Sequence, residues 1–486
     1  MQSSSTTAPE ETPKPVWPIA LALGAAGVVL FGLFFQQVFY GDAPLQLVAY
    51  RAHEATGHRL HFWLTEVLGK LGLSPLMAIR AASFIPAGVA LGVLFLALVR
   101  AGCGRGSAVL ATLLFAFTPS ALFFATTVEV HGLQMFGASL ALFSAVHIAR
   151  PKSGGIAGLL GWSLLAIVAL GATHPMNLQA GLGLGVLFLV GLRARGASPR
   201  VMGLVALGTC LLVVGVAAIV SYGYLDRQGW SVGVLLDAFK WRWDQTVPGS
   251  DLPAPLANGL NTVVRPAAYL LAAGLVGLVT LAVHPRAGSD ERGLGAGLLI
   301  WVLAPALILM GPDFTERGAY FIVALPALAL GTAALATRSR ALAALIVVGI
   351  FAQARLAIHE IRAWDEPAPE EARAWLDGLA AVSGGRGILL AEDAQQQDWA
   401  RRYLGMPTDN LRLFLPLPES ELRAFAQNFA TYSKRRASLG EPLFLPARVL
   451  ELAPEIPPLG IAVDILSQEI EFSPVEAPGF RGYKGL

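Results

Sequence analysis

The chain has 486 residues, of which 55% are hydrophobic and 14% charged, with a formal net charge of +2. Charged residues run near a quarter of an ordinary soluble domain, so this composition sets a soluble protein aside and indicates a polytopic membrane protein. The net charge itself argues neither for nor against nucleic acid, because the charges are segregated by loop; nucleic acid is not among the expected partners.

A membrane span needs about 20 mostly apolar residues. Eleven segments answer to that: 17–39, 76–99, 107–127, 131–149, 156–173, 176–192, 201–223, 263–283, 293–311, 318–337 and 341–358. Residues 1–16 form a short tail carrying Glu10 and Glu11. No small-x-small site precedes Asp42, and the first apolar run is long, so it reads as a retained anchor and not as a cleaved signal. Short cytoplasmic loops hold Lys and Arg. Here alternate loops carry Arg100 and Arg105; Arg150 and Lys152; Arg193, Arg195 and Arg200; Arg286 and Arg292; and Arg338 and Arg340. With the N-terminus cytoplasmic, the intervening loops 40–75, 128–130, 173–176, 224–262 and 312–317 face outward, as does everything from 359 on. The expected setting is a multi-pass position in a bacterial inner membrane. Cys103 and Cys210 fall in an inner loop and a span, so no disulfide framework is expected.

The first outer loop is rich in polar chemistry. Asp42 lies three residues past the first span, and His53, Glu54, His58 and His61 follow within a short stretch. Leu60, Trp63, Leu64, Val67, Leu68 and Leu71 recur at helical spacing, with Arg59, Glu66 and Lys70 off that face. Such a helix either lies at headgroup depth with Trp63 at the interface or plugs the bundle. Further polar groups gather at span ends: Glu129 with His131, then His174 before Pro175, then Asp313 with Glu316 and Arg317. A charge beside apolar spans is expensive and invites a functional reading, although Asp42 also suits a helix cap and the others suit solvated turns or packed imidazoles. The loop Asp237, Lys240, Trp241, Arg242, Trp243, Asp244 combines cations with indoles that suit a sugar or a headgroup.

From 359 the composition turns water-facing. Helices at 369–382, 394–404 and 418–436 alternate with apolar runs at 387–390, 411–417 and 443–445, which predicts a small α/β domain of about 125 residues. Gly384-Gly385-Arg386-Gly387 precedes a strand instead of following one, so it is no dinucleotide loop; an accessory or docking role is expected.

Several short motifs occur in order: Tyr40-Gly41-Asp42, Leu68-Gly69-Lys70-Leu71, Arg80 at the head of the second span, Val128-Glu129-Val130-His131, Thr173-His174-Pro175, Glu316-Arg317-Gly318-Ala319-Tyr320, and Leu325-Pro326-Ala327-Leu328. Together, over about residues 17–358, they resemble the GT-C membrane glycosyltransferases, in particular the protein O-mannosyltransferase-like branch. The chain departs from that branch at Gly57-His58-Arg59-Leu60-His61, which lacks the prolines of the usual His-Pro-Pro-Gly, and at His131, where the branch has Tyr. The fold so implied is an α-helical polytopic domain with a C-terminal soluble α/β domain.

The resemblance implies transfer of a sugar from a polyprenyl-phosphate donor to an acceptor hydroxyl at the outer face, usually with inversion. An attacking hydroxyl needs a general base, for which Asp42 is the candidate, with Glu129 as the second catalytic acid. A leaving phosphate calls for arginine forks, from Arg317 with Arg80 and Arg265 behind it. His58, His61, His131, His174, Tyr320, Trp241 and Trp243 are the candidate substrate contacts. Asp42, Glu129 and His131 form an oxygen and imidazole set that accepts a divalent cation, but no spacing motif calls for one, and no metal ligand is assigned. The expected partners are the lipid-linked donor, a protein, lipid or glycan acceptor, and membrane lipids. A transporter or lipid flippase would place ionisable groups near mid-membrane and show repeats, and a scaffold would need no Asp42.

Overall fold

The computed structural model describes residues 15–41, 43–53, 58–150, 155–204, 207, 254–284, 288–310, 318–410 and 419–486. Outside them lie Asp42, Glu54, Trp241, Trp243, Asp313, Glu316 and Arg317, along with most of the predicted span 201–223.

The bundle runs α1 (Trp17–Leu33), α2 (Ala43–Arg51), α3 (Arg59–Lys70), α4 (Pro75–Arg100), α5 (Arg105–Ala116), α6 (Pro119–Ala125), α7 (His131–Ala149), α8 (Ile156–Thr173) and α9 (Gly181–Ala194). After the undescribed stretch come α10 (Ala254–Gly259), α11 (Arg265–Val283), α12 (Ser289–Met310), α13 (Leu325–Arg338) and α14 (Arg340–Trp364). Among the described residues, eight helical stretches are long and apolar enough to cross a membrane, or nine if α5 and α6 form one span.

The predicted segments 131–149 and 156–173 coincide with α7 and α8. Two others differ in shape. The segment 107–127 is broken, α5 and α6 meeting at 68°. Pro119 sits at the head of α6 and Thr118 before it is extended, because a residue preceding proline is pushed out of the helical region. The segment 17–39 is helical only to Leu33. From Gln36 to Phe39 the chain bonds to distant groups instead of to its own turn.

Between helices in lipid there is little hydrophobic drive, so close packing across small residues does the work. A methyl group added at Gly88 of α4 would lie 2.4 Å from the Val28 backbone nitrogen of α1, and one at Gly277 of α11 would lie 1.9 Å from the Gly331 carbonyl of α13. The outward sides of the helices stay apolar, as with Leu345, Val348 and Phe351 on α14.

The bundle has two chemically distinct ends. At one, the basic connections knit together: Arg150 donates to the Ala101 carbonyl at 2.6 Å, and Arg195 donates to the Ile148 and Arg150 carbonyls at 3.0 and 3.3 Å. At the other end stand the connection after α1, the α6–α7 turn, His174 and the short 3-10 segment Ala319–Ala324. Helix α3 lies at this end too. Its Trp63, Val67 and Leu71 are exposed while His61 and Thr65 are buried. The apolar face therefore points away from the bundle.

Helix α14 leads into the C-terminal domain, with α15 (Glu370–Ser383), β1 (Ile388–Ala391), α16 (Ala394–Trp399), β2 (Thr408–Asn410), α17 (Glu419–Ser438), β3 (Leu443–Pro446), α18 (Ala447–Leu452), α19 (Pro457–Glu469), β4 (Phe472–Ala477) and β5 (Phe480–Gly485). The five strands are ordered β2-β1-β3-β5-β4. β1 pairs in parallel with β2 and β3, and β5 runs antiparallel to both β3 and β4. β1 and β3 are buried along their whole length, as unbroken apolar runs in a covered sheet must be. The predicted strand 411–417 lies outside the described residues. The hairpin β4–β5 escaped prediction because β4 is a half-exposed edge strand containing Pro474.

Candidate functional site

The connection after α1 is held from two sides. Gln36, buried, donates its amide nitrogen to the Thr126 carbonyl at 2.7 Å, and its side chain donates to Phe123 O and Thr126 Oγ1 at 3.2 and 2.9 Å. The next residues turn to the C-terminal domain. Gln37 N and Val38 N donate to Asp365 Oδ1 at 2.8 and 3.1 Å, Phe39 N donates to the Arg402 carbonyl at 2.9 Å, and Arg401 Nη2 donates to the Gly41 carbonyl at 2.7 Å. Between these anchors the Tyr40 ring packs edge-on against Phe123, Phe124 and Trp364.

Gly41 is the pivot. Its φ of +51° lies in the left-handed region, which glycine enters without a Cβ clash. A Cβ there would also stand 2.5 Å from Glu129 Oε1. Beyond it α2 seats Ala43 and Leu47 on Ile79 and Val128, which holds the two segments together.

Glu129 is 5% exposed in the turn between α6 and α7. Its amide donates to Ser83 Oγ at 3.2 Å, and its Oε2 accepts from Val130 N at 3.2 Å and from Gln46 Nε2 at 3.5 Å. A carboxylate buried among span ends and fixed by amide donors is what a proton-handling or hydroxyl-orienting group requires.

The histidines assemble beside it. The His131 ring lies 4.6 Å from Phe124, 5.3 Å from His174 and 6.2 Å from Tyr320. His174 stacks on His58 at 5.2 Å and lies 6.0 Å from Tyr320. His131 Nδ1 meets Gln134 Oε1 at 2.6 Å. His61 is 3% exposed, and its Nε2 has no hydrogen-bond partner among the described residues. Burial, then the neighbouring His58 and His131, push His61 down to about 3. Burial, then His131 and His58, likewise hold His174 well below its ordinary value. Neutral imidazoles offer one donor and one acceptor each, so His61 and His174 suit hydroxyl groups better than a phosphate.

Of the predicted arginines, Arg80 and Arg265 are among the described residues. Arg80 is half-buried on α4 with its guanidinium 5.3 Å over the Phe35 ring. Arg265 is exposed and paired with Glu360 at 3.2 Å. No hydrogen bond, ion pair or ring contact described joins either to the imidazoles. Asp42, Trp241, Trp243 and Arg317 lie outside the described residues. Among the described residues no three His, Cys, Asp or Glu are disposed to hold a metal.

Sequence reasoning missed Gln36, Gln46, Ser83, Gln134, Asp365, Arg401 and Arg402. Gln134, an amide inside an apolar span, carried a readable signal; the two arginines in a soluble domain carried none.

No protein-family model and no curated protein sequence matches the chain. Solved structures do, among them two of one protein. The structure of ArnT from Cupriavidus metallidurans bound to undecaprenyl phosphate aligns over 97% of this chain and 98% of its own, with TM-score 0.56 and 15% identity. The same protein in the apo state aligns over 96% and 98%, with TM-score 0.56 and 14% identity. The architecture is therefore the ArnT-like GT-C fold with a small C-terminal sheet domain.

Proposed function

We propose that this protein is a membrane glycosyltransferase that moves a sugar from a polyprenyl-phosphate donor to an acceptor hydroxyl, with inversion, at the end of the bundle that carries Glu129 and the histidines. One observation carries the reading. In a GT-C fold whose ArnT neighbour holds undecaprenyl phosphate, Gly41, Glu129, His58, His131, His174 and Tyr320 meet from segments far apart in sequence at a single bundle end. A transporter would place such groups near mid-membrane. The arginine-knit end faces the cytoplasm in this reading, and the site faces outward.

In the reaction the acceptor oxygen bonds to the anomeric carbon as the bond from that carbon to the phosphate oxygen breaks. The hydroxyl proton passes to a carboxylate, for which Asp42, next to Gly41 in sequence, is our candidate. Glu129 lies within reach of the same backbone and orients the reacting hydroxyl. The departing polyprenyl phosphate gains charge, which Arg317, with Arg80 and Arg265 as alternates, compensates. His58, His61, His131, His174 and Tyr320 bind sugar hydroxyls, and Trp241 and Trp243 supply stacking faces. The order of the short motifs favours the O-mannosyltransferase-like branch. The donor lipid is a substrate, and no step needs a cofactor.

The test is transfer from labelled polyprenyl-phosphate sugars by purified protein, alongside Asp42→Asn and Glu129→Gln. Both variants should stay folded and lose at least about a hundredfold in turnover, the scale of general acid–base catalysis. Unchanged turnover in Asp42→Asn removes it as the base, and a parent protein inert toward every such donor rejects the reading.

A further inference from the structure

The backbone from Gln37 to Gly41 is held largely by residues beyond the bundle. Three successive amides, those of Gln37, Val38 and Phe39, donate to Asp365 Oδ1 and to the Arg402 carbonyl, and the Gly41 carbonyl accepts from Arg401. Asp365 ends α14. Arg401 and Arg402 sit in Ala400–Leu404, a widened π-type turn continuing α16, and such turns recur at functional sites. Arg402 is fixed in turn, its guanidinium 4.4 Å over the Trp364 ring and bonded to the Trp364 carbonyl. The turn closes on Gly405, whose φ is +62° and where a Cβ would stand 2.6 Å from the Phe39 ring.

A domain that merely docks has no need to grip consecutive backbone groups. Here the gripped groups belong to one short run, and that run ends at Gly41 against Glu129 Oε1. An ångström of misplacement near a reacting centre costs on the order of a hundredfold in rate. The arrangement thus ties the geometry around Glu129 to the soluble domain.

We propose that the C-terminal domain is a positioning element of the transfer site, with Arg401, through its bond to the Gly41 carbonyl, as the positioning residue that keeps Gly41 seated against Glu129. Where activity is concerned this rests on the transferase reading; the grip on the loop does not.

The full-length protein is compared with Arg401→Ala, Arg401→Lys and the control Arg481→Ala. Arg481 is exposed and pairs with Glu451 on the far side of the sheet domain. The first readout is amide hydrogen exchange at 37–41. Loss of a hydrogen bond to a charged group should speed it about 10- to 100-fold in Arg401→Ala, with 388–391 and 443–446 unchanged. The second is steady-state transfer, where kcat should fall by at least about tenfold with donor KM within about threefold. Arg401→Lys should recover part of both, and Arg481→Ala should alter neither. Parent-like exchange in Arg401→Ala overturns the proposal, and so does faster exchange with unchanged kcat. An inert parent protein defeats the transferase reading alone, while the exchange experiment still decides whether Arg401 holds the loop.

Discussion

Replacing Gly41 with alanine separates two costs that the site imposes on one residue. The first is conformational. At φ +51° an alanine pays the left-handed penalty of about 1–2 kcal/mol. The second is steric, because the new methyl would stand 2.5 Å from Glu129 Oε1, where ordinary contact begins at 3.4 Å. The carboxylate is the movable partner and must retreat by roughly 1 Å, straining the bonds it accepts from Val130 N and Gln46 Nε2. Hydrogen bonds to charged groups contribute about 1.5–3 kcal/mol each, so losing part of the pair brings the total to about 2–4 kcal/mol. Gly72 supplies the control, since its φ is +98° with nothing within 4 Å of a built Cβ; Gly72→Ala carries only the first cost. Both variants should melt lower than the parent in detergent, Gly41→Ala by more. Only Gly41→Ala should lose turnover per folded molecule, by on the order of a hundredfold. Equal stability and equal turnover in the two would refute the seating of Glu129 against Gly41.

Acid should destabilise the protein through its buried imidazoles. His61 and His174 are held below their ordinary 6.5, so the unfolded chain binds protons there while the folded one does not. The stabilisation is complete above pH 6.5 and is lost as pH falls toward about 3 for His61, at up to about 1.4 kcal/mol per pH unit for each group. Melting midpoints from pH 7.5 to 5 should drop, and His61→Gln should flatten the slope; an unchanged slope would show that His61 titrates normally. At the bundle waist, Gly277→Ala pushes on the Gly331 carbonyl and should cost about 1–3 kcal/mol, whereas Gly106→Ala, with open space around it, should be neutral or stabilising by up to about 1 kcal/mol. Equal melting of those two would refute the close crossing of α11 and α13. A cysteine at the exposed Ser420 should react with an impermeant thiol reagent from outside intact cells, and protection there would invert the orientation proposed here.

Most of the bundle was legible because lipid permits few structures. An apolar run long enough to span must be a helix, so α7 and α8 are found to the residue. What escaped was local. The break before Pro119 follows from proline chemistry but competes with an apolar run continuous across it. The early end of α1 depends on partners, Thr126, Asp365 and Arg402, that no window of sequence around Leu33 contains. In the sheet domain β1 and β3 announced themselves as fully buried apolar runs, while the edge strand β4 is half polar and reads as loop.

The site divides along the same line. Glu129, His131 and His174 stand out because an ionisable group at the end of an apolar span is conspicuous whatever it does. Arg401 is inconspicuous for the converse reason, since an arginine in a water-facing helical stretch is the ordinary case. Its significance comes from a bond spanning 360 residues of sequence. Conspicuousness in sequence therefore selects groups that are costly where they sit, and passes over groups that are cheap where they sit but act on a costly neighbour. Asp365 belongs to the second kind as well: an acid just past α14 looks like a helix-end residue, yet its carboxylate oxygen takes the amides of Gln37 and Val38. The soluble domain, which composition alone marks as an accessory, thus contacts the same backbone run that the buried carboxylate of Glu129 contacts from the other side.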